Sequence, residues 1–461
     1  LFSMDGFGQH YASGNRFDDE EPLETVLGEA KTYYANIIMW AGKPIQRALE
    51  AASKLDIKMI APSHGTIWRS HIDRILAAYQ DWVVCKPSPK VTVSREKLET
   101  AIRRPVTMVG CRWRGRRRQS TIPGRKSIAY RTRYDSGVIH AGIYYAPGSL
   151  KASLCVEGRE ALYRILGENG LPFRKTGKII VAWEDGQIPL LESLKARGEA
   201  NGVPGLRMLD AAEVAAIEPD LKTVGGLLSP ETGIFDTHRY MALLERKASR
   251  RATIAYGCEV VGVDKGRGGY TVRIADADGS EYRFSSRVVV NAAGLGAERV
   301  ARMAGIDTAA AGYTVHPCKG EYFRVGRWKG RGLRRLVYPP PTPISLGVHI
   351  VLDLQGGIKL GPNAFYVDTL DYAVDERHRR EFYLGAHAFL PSIEEGDLSP
   401  DISGIRPKLY REGEAARDFV IRHEADRGLY GLIDLIGIES PGLTASLAIG
   451  EMVSRMIAGI A

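Results

Sequence analysis

A chain of 461 residues with 44% apolar side chains can build two or three packed cores, which excludes a disordered or fibrous protein. The formal charge of +9 permits contact with nucleic acid or an anionic membrane, but the excess is concentrated between Arg103 and Arg133 and the rest is close to neutral. No apolar run reaches the roughly 18 residues needed to span a bilayer.

Residues 1–93 read as a first unit: a helical pattern in "KPIQRALEAASKL", a strand in "IKMIAPSHG" and an amphipathic helix in "SHIDRILAAYQDWVV", ended by the prolines of "CKPSPK". Residues 94–135 are a junction in which "RPVTMVG" alone has strand character. From Ser136 onward the pattern is regular again. "CEVVGV", "YTVRIAD" and "EYRFSSRVVVNAAG" predict strands, with Asp278-Gly279 as a hairpin turn between the last two. "AERVARMAG" and "LTASLAIGEMVSRMIAG" predict helices. Cys85, Cys111, Cys155, Cys258 and Cys318 form no C-x-x-C pair, so neither a disulfide framework nor a zinc site is indicated, and a reducing cytoplasm fits. The opening "LFSMDGFGQH" has no secretory leader pattern and starts at Leu1 rather than Met, which reads as a fragment.

Three stretches carry chemistry. In the first unit, "DGFGQH" and "APSHG" put two potential metal ligands, Asp5 and His64, at strand ends. In the body, "RVVVNAAGLGAERV" is a β-branched strand ending in small residues before a helix, an arrangement that lets backbone amides and a helix N-terminus approach an anionic group. "GIESPGLTASLAIGEMV" repeats the idea, with Gly437, Pro441 and Gly442 ahead of a helix.

The third stretch is "VGCRWRGR", which begins like the strand and glycine turn of a dinucleotide-binding βαβ unit. Gly110 and Gly115 occupy the first and third glycine places, but Arg112 stands in the middle, where pyrophosphate should approach. "WRGRRRQSTIPGRK" has no apolar helix face. The about 20 residues from Gly115 to Asp135 are too few for the helix and strand of such a unit. Either a basic nucleic-acid-binding insert or a rearranged or frameshifted segment explains it, and arginines without periodicity favour the latter.

"LFSMDGFGQHYAS", "YYANI" and "IAPSHGTIWR" resemble the end of the metallo-β-lactamase-like domain of flavodiiron proteins. That resemblance implies diiron-ligand positions at Asp5 and His64. The other ligands of that family would precede Leu1, so a vestigial site without functional iron is expected.

"SGVIHAGIYYAPGSLKASLCVEG", "YPPPTPISLGVHIVLDLQGGIKLGPNA", "GIRPKL" and "GLYGLIDLIGIESPGLTASLAIGEMV" resemble the L-2-hydroxyglutarate dehydrogenase/oxidase family of D-amino-acid-oxidase-like flavoproteins, over residues 136–461. The resemblance implies an α/β and α+β fold, in which an incomplete Rossmann-like FAD-binding domain is interleaved with an antiparallel-sheet substrate domain at about 165–225 and 315–405. It implies FAD, oxidation of an L-2-hydroxy acid to the 2-oxo acid, and oxygen or a quinone as electron acceptor.

The chemistry needs a base, for which His140 and His349 are the candidates, and a cation for the substrate carboxylate, for which Arg406 offers a bidentate fork. Lys319 and Tyr322 are expected to line the same pocket. Carried over for the cofactor are Gly110, Gly115, Ser136, Gly137, Val260, Ala292, Ala293, Gly294, Gly437, Ser440, Pro441, Gly442, Leu443 and Thr444. The expected location is cytoplasmic, with peripheral membrane attachment as an alternative. The rival functions are a flavodiiron-type oxygen or nitric-oxide reductase fragment and a non-catalytic basic protein that binds nucleic acid.

Overall fold

The computed structural model describes residues 2–4, 7, 9, 15–33, 49–50, 52–53, 55–62, 65–83, 106–110, 136–255, 257–276, 279–330, 332–341 and 347–460. They fall into two compact units, Leu1–Pro89 with Asp276–Ser280, and Lys90–Ala275 with Glu281–Ala461.

In the first unit the sequence-predicted helix is Ile72–Val83, and its Ile75 and Tyr79, four residues apart, face a core with Val26, Ala30, Ile60 and Trp68. The helix begins where it does because the buried Asp18 carboxylate accepts hydrogen bonds from the amides of Arg69, Ser70 and His71, at 2.7, 3.2 and 2.8 Å. Among the described residues of "IKMIAPSHG", Ala61–Pro62 form a strand, paired in parallel with Phe2–Met4. The "KPIQRALEAASKL" helix falls largely outside the described residues, as do Asp5 and His64. Among the described residues no group of three or more His, Cys, Asp or Glu side chains could hold a metal.

The second unit holds the parallel sheet that the glycine-turn reading requires. Val106–Gly110 pairs in parallel with Val288–Ala292, Gly110 lying opposite Ala292, and Val288–Ala292 pairs in parallel with Leu432–Ile436. Val420–His423 adds an antiparallel edge. Such a sheet must be covered on both faces, and alternation along the strands does this. Val289, Leu432 and Ile436 face a cluster with the helix Ala297–Met303. Val288, Val290, Ile433 and Leu435 face the helix Ser446–Ile460.

The single strand predicted for "EYRFSSRVVVNAAG" is two. Glu281–Ser286 closes the antiparallel meander Glu259–Gly266, Gly269–Ala275, Glu281–Ser286, and after Arg287 the chain enters the parallel sheet. Gly279 marks the hairpin turn.

A nine-stranded sheet forms the other half of this unit. Its path runs Phe365–Tyr366, His316–Val325, Ile358–Leu360, Ile350–Leu352, Leu336–Tyr338, Lys178–Ala182, Gly225–Ser229 and Arg207–Asp210, with Leu398–Lys408 also paired to His316–Val325. Only Leu336–Tyr338 with Lys178–Ala182 is parallel. Among the described residues no helix is long and apolar enough to cross a membrane.

Candidate active site

Three parallel strands end on one edge in small residues: Gly110, then Ala292 leading into Ala293 and Gly294, then Gly437. Ligands of open α/β sheets bind at the carboxyl ends of strands, where short side chains leave room for backbone approach. Gly294 and Gly437 have φ of 58° and 72°, a backbone region in which a side chain is strained. Ala293 is tied down by its amide, which donates to Asn291 Oδ1 at 3.3 Å, while Asn291 Nδ2 donates to Asp434 Oδ1 at 2.6 Å across the strands.

Beyond Gly437 the loop Glu439–Thr444 leads into the terminal helix. The amides of Gly442 and Ala445 are satisfied by Glu439 and Pro441, whereas those of Leu443 and Thr444 have no carbonyl partner among the described residues. Two such amides ahead of a 15-residue helix suit a polar or anionic ring edge. These features fit the flavin end of FAD. Gly115 and Arg112, at the pyrophosphate end, lie outside the described residues.

Thr444 joins this loop to the candidate base. Its buried hydroxyl accepts the His140 amide at 3.2 Å and donates to the Val138 carbonyl at 3.4 Å. His140 Nε2 meets Ser440 Oγ at 3.3 Å, and the His140 carbonyl accepts the Cys155 thiol at 3.4 Å. Gly137 shapes the approach, accepting the Phe235 amide at 2.9 Å, and Ser136 Oγ caps the Val138 amide at 3.4 Å. Pro441 and Gly442 belong to the loop itself. Val260 packs against the cluster that contains Ala297, Val300 and Ala301 of the helix Ala297–Met303.

His349 reaches the site from the other sheet. Its ring stacks on Tyr338 with centroids 3.8 Å apart, and Nδ1 lies 2.9 Å from the Gly347 carbonyl. A carbonyl only accepts, so Nδ1 carries the hydrogen and Nε2 keeps its lone pair. Burial, followed by the positive charges of Lys178 and Arg406, holds His140 down to about 3. Burial likewise lowers His349 to about 3; the Gly347 carbonyl opposes this, and Lys178, His140 and Arg406 reinforce it. Both imidazoles are therefore neutral bases at physiological pH.

Arg406 and Lys178 share the electrostatic neighbourhood of both imidazoles. Arg406, register partner of Cys318, has no carboxylate within ion-pair distance among the described residues. Lys178 was not foreseen from sequence. Its signal is a lysine opening the otherwise apolar strand "KIIVA", every residue of which is buried.

Lys319 stands apart. Side chains alternate along a strand, so Lys319, Glu321 and Phe323 share one face of His316–Val325 and Cys318 shares the other with Arg406. Lys319 Nζ is neutralised by Glu321 at 3.0 Å and bonded to the Ala373 carbonyl. Tyr322 packs in the cluster that holds Tyr338 and Ile180.

A parallel sheet with small-residue strand ends, joined to a broad, mostly antiparallel sheet that contributes a neutral imidazole and cations without carboxylate partners among the described residues, defines an oxidoreductase of flavoprotein type. The FAD dependent oxidoreductase family model matches residues 125–456, and the chain belongs to that family, whose cofactor is FAD. Mitochondrial L-2-hydroxyglutarate dehydrogenase of Arabidopsis thaliana is 38% identical over 359 residues, covering 70% of this chain and 74% of the relative. The L-2-hydroxyglutarate dehydrogenase of Indibacter alkaliphilus is 30% identical, covering 70% and 88%.

Among solved structures, L-α-glycerophosphate oxidase from Mycoplasma pneumoniae with FAD bound superposes with a TM-score of 0.62 at 26% identity, over 70% of this chain and 83% of that one. Glycine oxidase from Geobacillus kaustophilus shares the fold, with a TM-score of 0.57 at 20% identity over 70% and 82%. The strand Val106–Gly110 precedes the matched span, yet occupies the first-strand place beside Val288–Ala292.

Proposed function

We propose that this chain oxidises the CH–OH group of an L-2-hydroxy acid, L-2-hydroxyglutarate, to the 2-oxo acid, with oxygen or a quinone as the final electron acceptor. The observation that carries the reading is a pair of neutral imidazoles beside cations that lack protein carboxylates; the relatives named above support it. FAD, when bound, supplies the hydride acceptor. Ala292, Ala293, Gly294, Gly437 and the 440–444 loop would hold its flavin end.

Arg406 binds the substrate C1 carboxylate through its fork. His349 Nε2, fixed as an acceptor by the Nδ1–H to Gly347 bond, takes the hydroxyl proton. His140, tied through Thr444 and Ser440 to the loop that faces the cofactor, keeps substrate and loop in register. The test is anaerobic mixing of FAD-incubated protein with each enantiomer. Loss of oxidised-flavin absorbance with L- but not D-2-hydroxyglutarate is expected, and no loss with either sinks the proposal.

For residues 1–93 we propose descent from a flavodiiron metallo-β-lactamase-like domain, supported by the three sequence phrases quoted above. Two of about seven ligands cannot retain a dinuclear centre, so metal analysis of the purified chain should find no stoichiometric iron. A cytoplasmic location, or one at the membrane surface, accompanies this reading.

A further inference from the structure

Lys178 is 1% exposed, and a buried ammonium is costly unless paired. Other buried lysines are paired: Lys151 with Glu439 at 2.9 Å and Lys319 with Glu321 at 3.0 Å. Lys178 is not. Its Nζ lies over the rings of Tyr144 and Tyr338, at 4.4 and 4.5 Å, and donates one hydrogen bond to Tyr144 Oη at 3.3 Å. No carboxylate stands within ion-pair distance among the described residues. The Tyr338 ring it covers is the one on which His349 stacks.

Two tyrosine faces make such a cation tolerable, but among the described residues only one of its three donors meets an acceptor. A second cation in the same neighbourhood, Arg406, also lacks a carboxylate. Two cations without a carboxylate partner among the described residues, both acting on the same two neutral bases, match a ligand with two carboxylates and a reacting carbon between them. We infer that Lys178 binds the second, distal carboxylate of the substrate and so makes the site selective for 2-hydroxy diacids over monoacids. This rests on the hydroxy-acid reading of the site.

The groups facing Lys178 are Tyr144, Tyr338, Cys155, His140 and His349, and Arg406 acts on the same two imidazoles. Tyr144, Cys155 and His140 are uncharged at neutral pH, since burial pushes the Cys155 thiol up to about 12, raises Tyr144 and keeps His140 neutral. His349 is neutral as well. Burial, opposed by Cys155, lowers Lys178 itself to about 7. In the ligand-free protein its charge is therefore lost as pH rises through neutrality.

The test is calorimetric binding of glutarate and of valerate, which carries a methyl in place of one carboxylate, to the full chain incubated with FAD. Wild type should bind glutarate about tenfold or more tightly than valerate, and Lys178→Met should abolish that preference while changing valerate binding by less than about twofold. Equal weakening of both acids assigns the lysine to packing and overturns the inference. So does unchanged glutarate binding, or a loss of flavin with the acid preference intact.

If Lys178→Met does not fold, wild type decides alone. Its glutarate-to-valerate preference should fall between about pH 6 and 9, and a constant preference overturns the inference. The two proposals fail separately. Glutarate selectivity lost in Lys178→Met, with no flavin reduction by any 2-hydroxy acid, removes the hydroxy-acid oxidation reading and leaves this site. Reduction by L-2-hydroxyglutarate, with Lys178→Met keeping the wild-type preference, removes this site and leaves the hydroxy-acid oxidation reading.

Discussion

His349 illustrates how one hydrogen bond assigns a role. With its hydrogen committed to the Gly347 carbonyl, the remaining nitrogen can only accept. Replacing it by alanine should slow flavin reduction by about 10²–10⁴, the usual weight of a positioned general base, with flavin content unchanged. Because both imidazoles are held to about 3, the acidic limb that histidine normally gives near pH 6.5 should be missing. Flavin-reduction rates measured from pH 5 to 8 should show no loss of base on the acid side.

Asp434 titrates the other way. Burial, only partly relieved by the Asn291 bond and worsened by Glu424, raises it to about 7. A carboxyl whose folded pKa is raised binds its proton more tightly folded than unfolded, so stability falls as pH rises from about 4 to about 7 and is constant above. The two histidines contribute stability above about 6.5 that is lost as pH falls toward 3. Asp434→Asn should therefore flatten the neutral-side decline in melting temperature while leaving the acid-side loss in place.

At the scale of single residues, base and fork chemistry restrict residue types, so the sequence can nominate His140, His349 and Arg406, and the structure brings the three into one electrostatic neighbourhood. The sequence could not place Lys319, since strand alternation decides which face a lysine occupies and the phase is unknown until Cys318 is seen opposite Arg406.

The helix Leu150–Glu168 shows what a close contact between elements demands. A Cβ on Gly158 would come within 2.5 Å of the Thr444 carbonyl and 2.6 Å of Ala445 Cα, both backbone atoms that cannot swing aside. Gly167 in the same helix has nothing within 4 Å. Gly167→Ala should gain about 0.5–1 kcal/mol of unfolding free energy from helix propensity. Gly158→Ala should lose about 1–3 kcal/mol, since overpacking outweighs that gain. Thermal or denaturant unfolding measures both, and Gly158→Ala should also weaken flavin binding, because the backbone it displaces carries Thr444.

Elements with strong local signals formed where periodicity placed them: Ile72–Val83, Ala297–Met303, and the meander about its Gly279 turn. The break at Arg287 was invisible, because a continuous β-branched pattern does not say that the chain changes sheets there. The nine-stranded sheet was legible only through family resemblance, since its short strands pair over long separations.

Across the whole molecule the flavin end and the adenylate end stand on different footing. The described strands and loops meet the requirements of an isoalloxazine, whereas the middle glycine place for the pyrophosphate carries Arg112 in sequence. The protein is therefore expected to discriminate poorly between FAD and FMN, with dissociation constants within about tenfold, or about 1.4 kcal/mol. Titration of flavin fluorescence checks this, and a much stronger preference for FAD would restore a working pyrophosphate turn to residues 110–115.

The parallel sheet has a consequence for how the protein is made. Val106 pairs with Val288 and Val289 with Leu432, so adjacent strands lie about 180 and 140 residues apart in the chain. At about 5–20 residues per second on the ribosome, Val106–Gly110 waits roughly 10–40 s for its partner to be synthesised, and the sheet is completed only as the last helix emerges. A nascent chain with that delay offers an unpaired apolar strand to chaperones throughout, so the yield of folded protein should depend on translation speed between the codons for Gly110 and Val288.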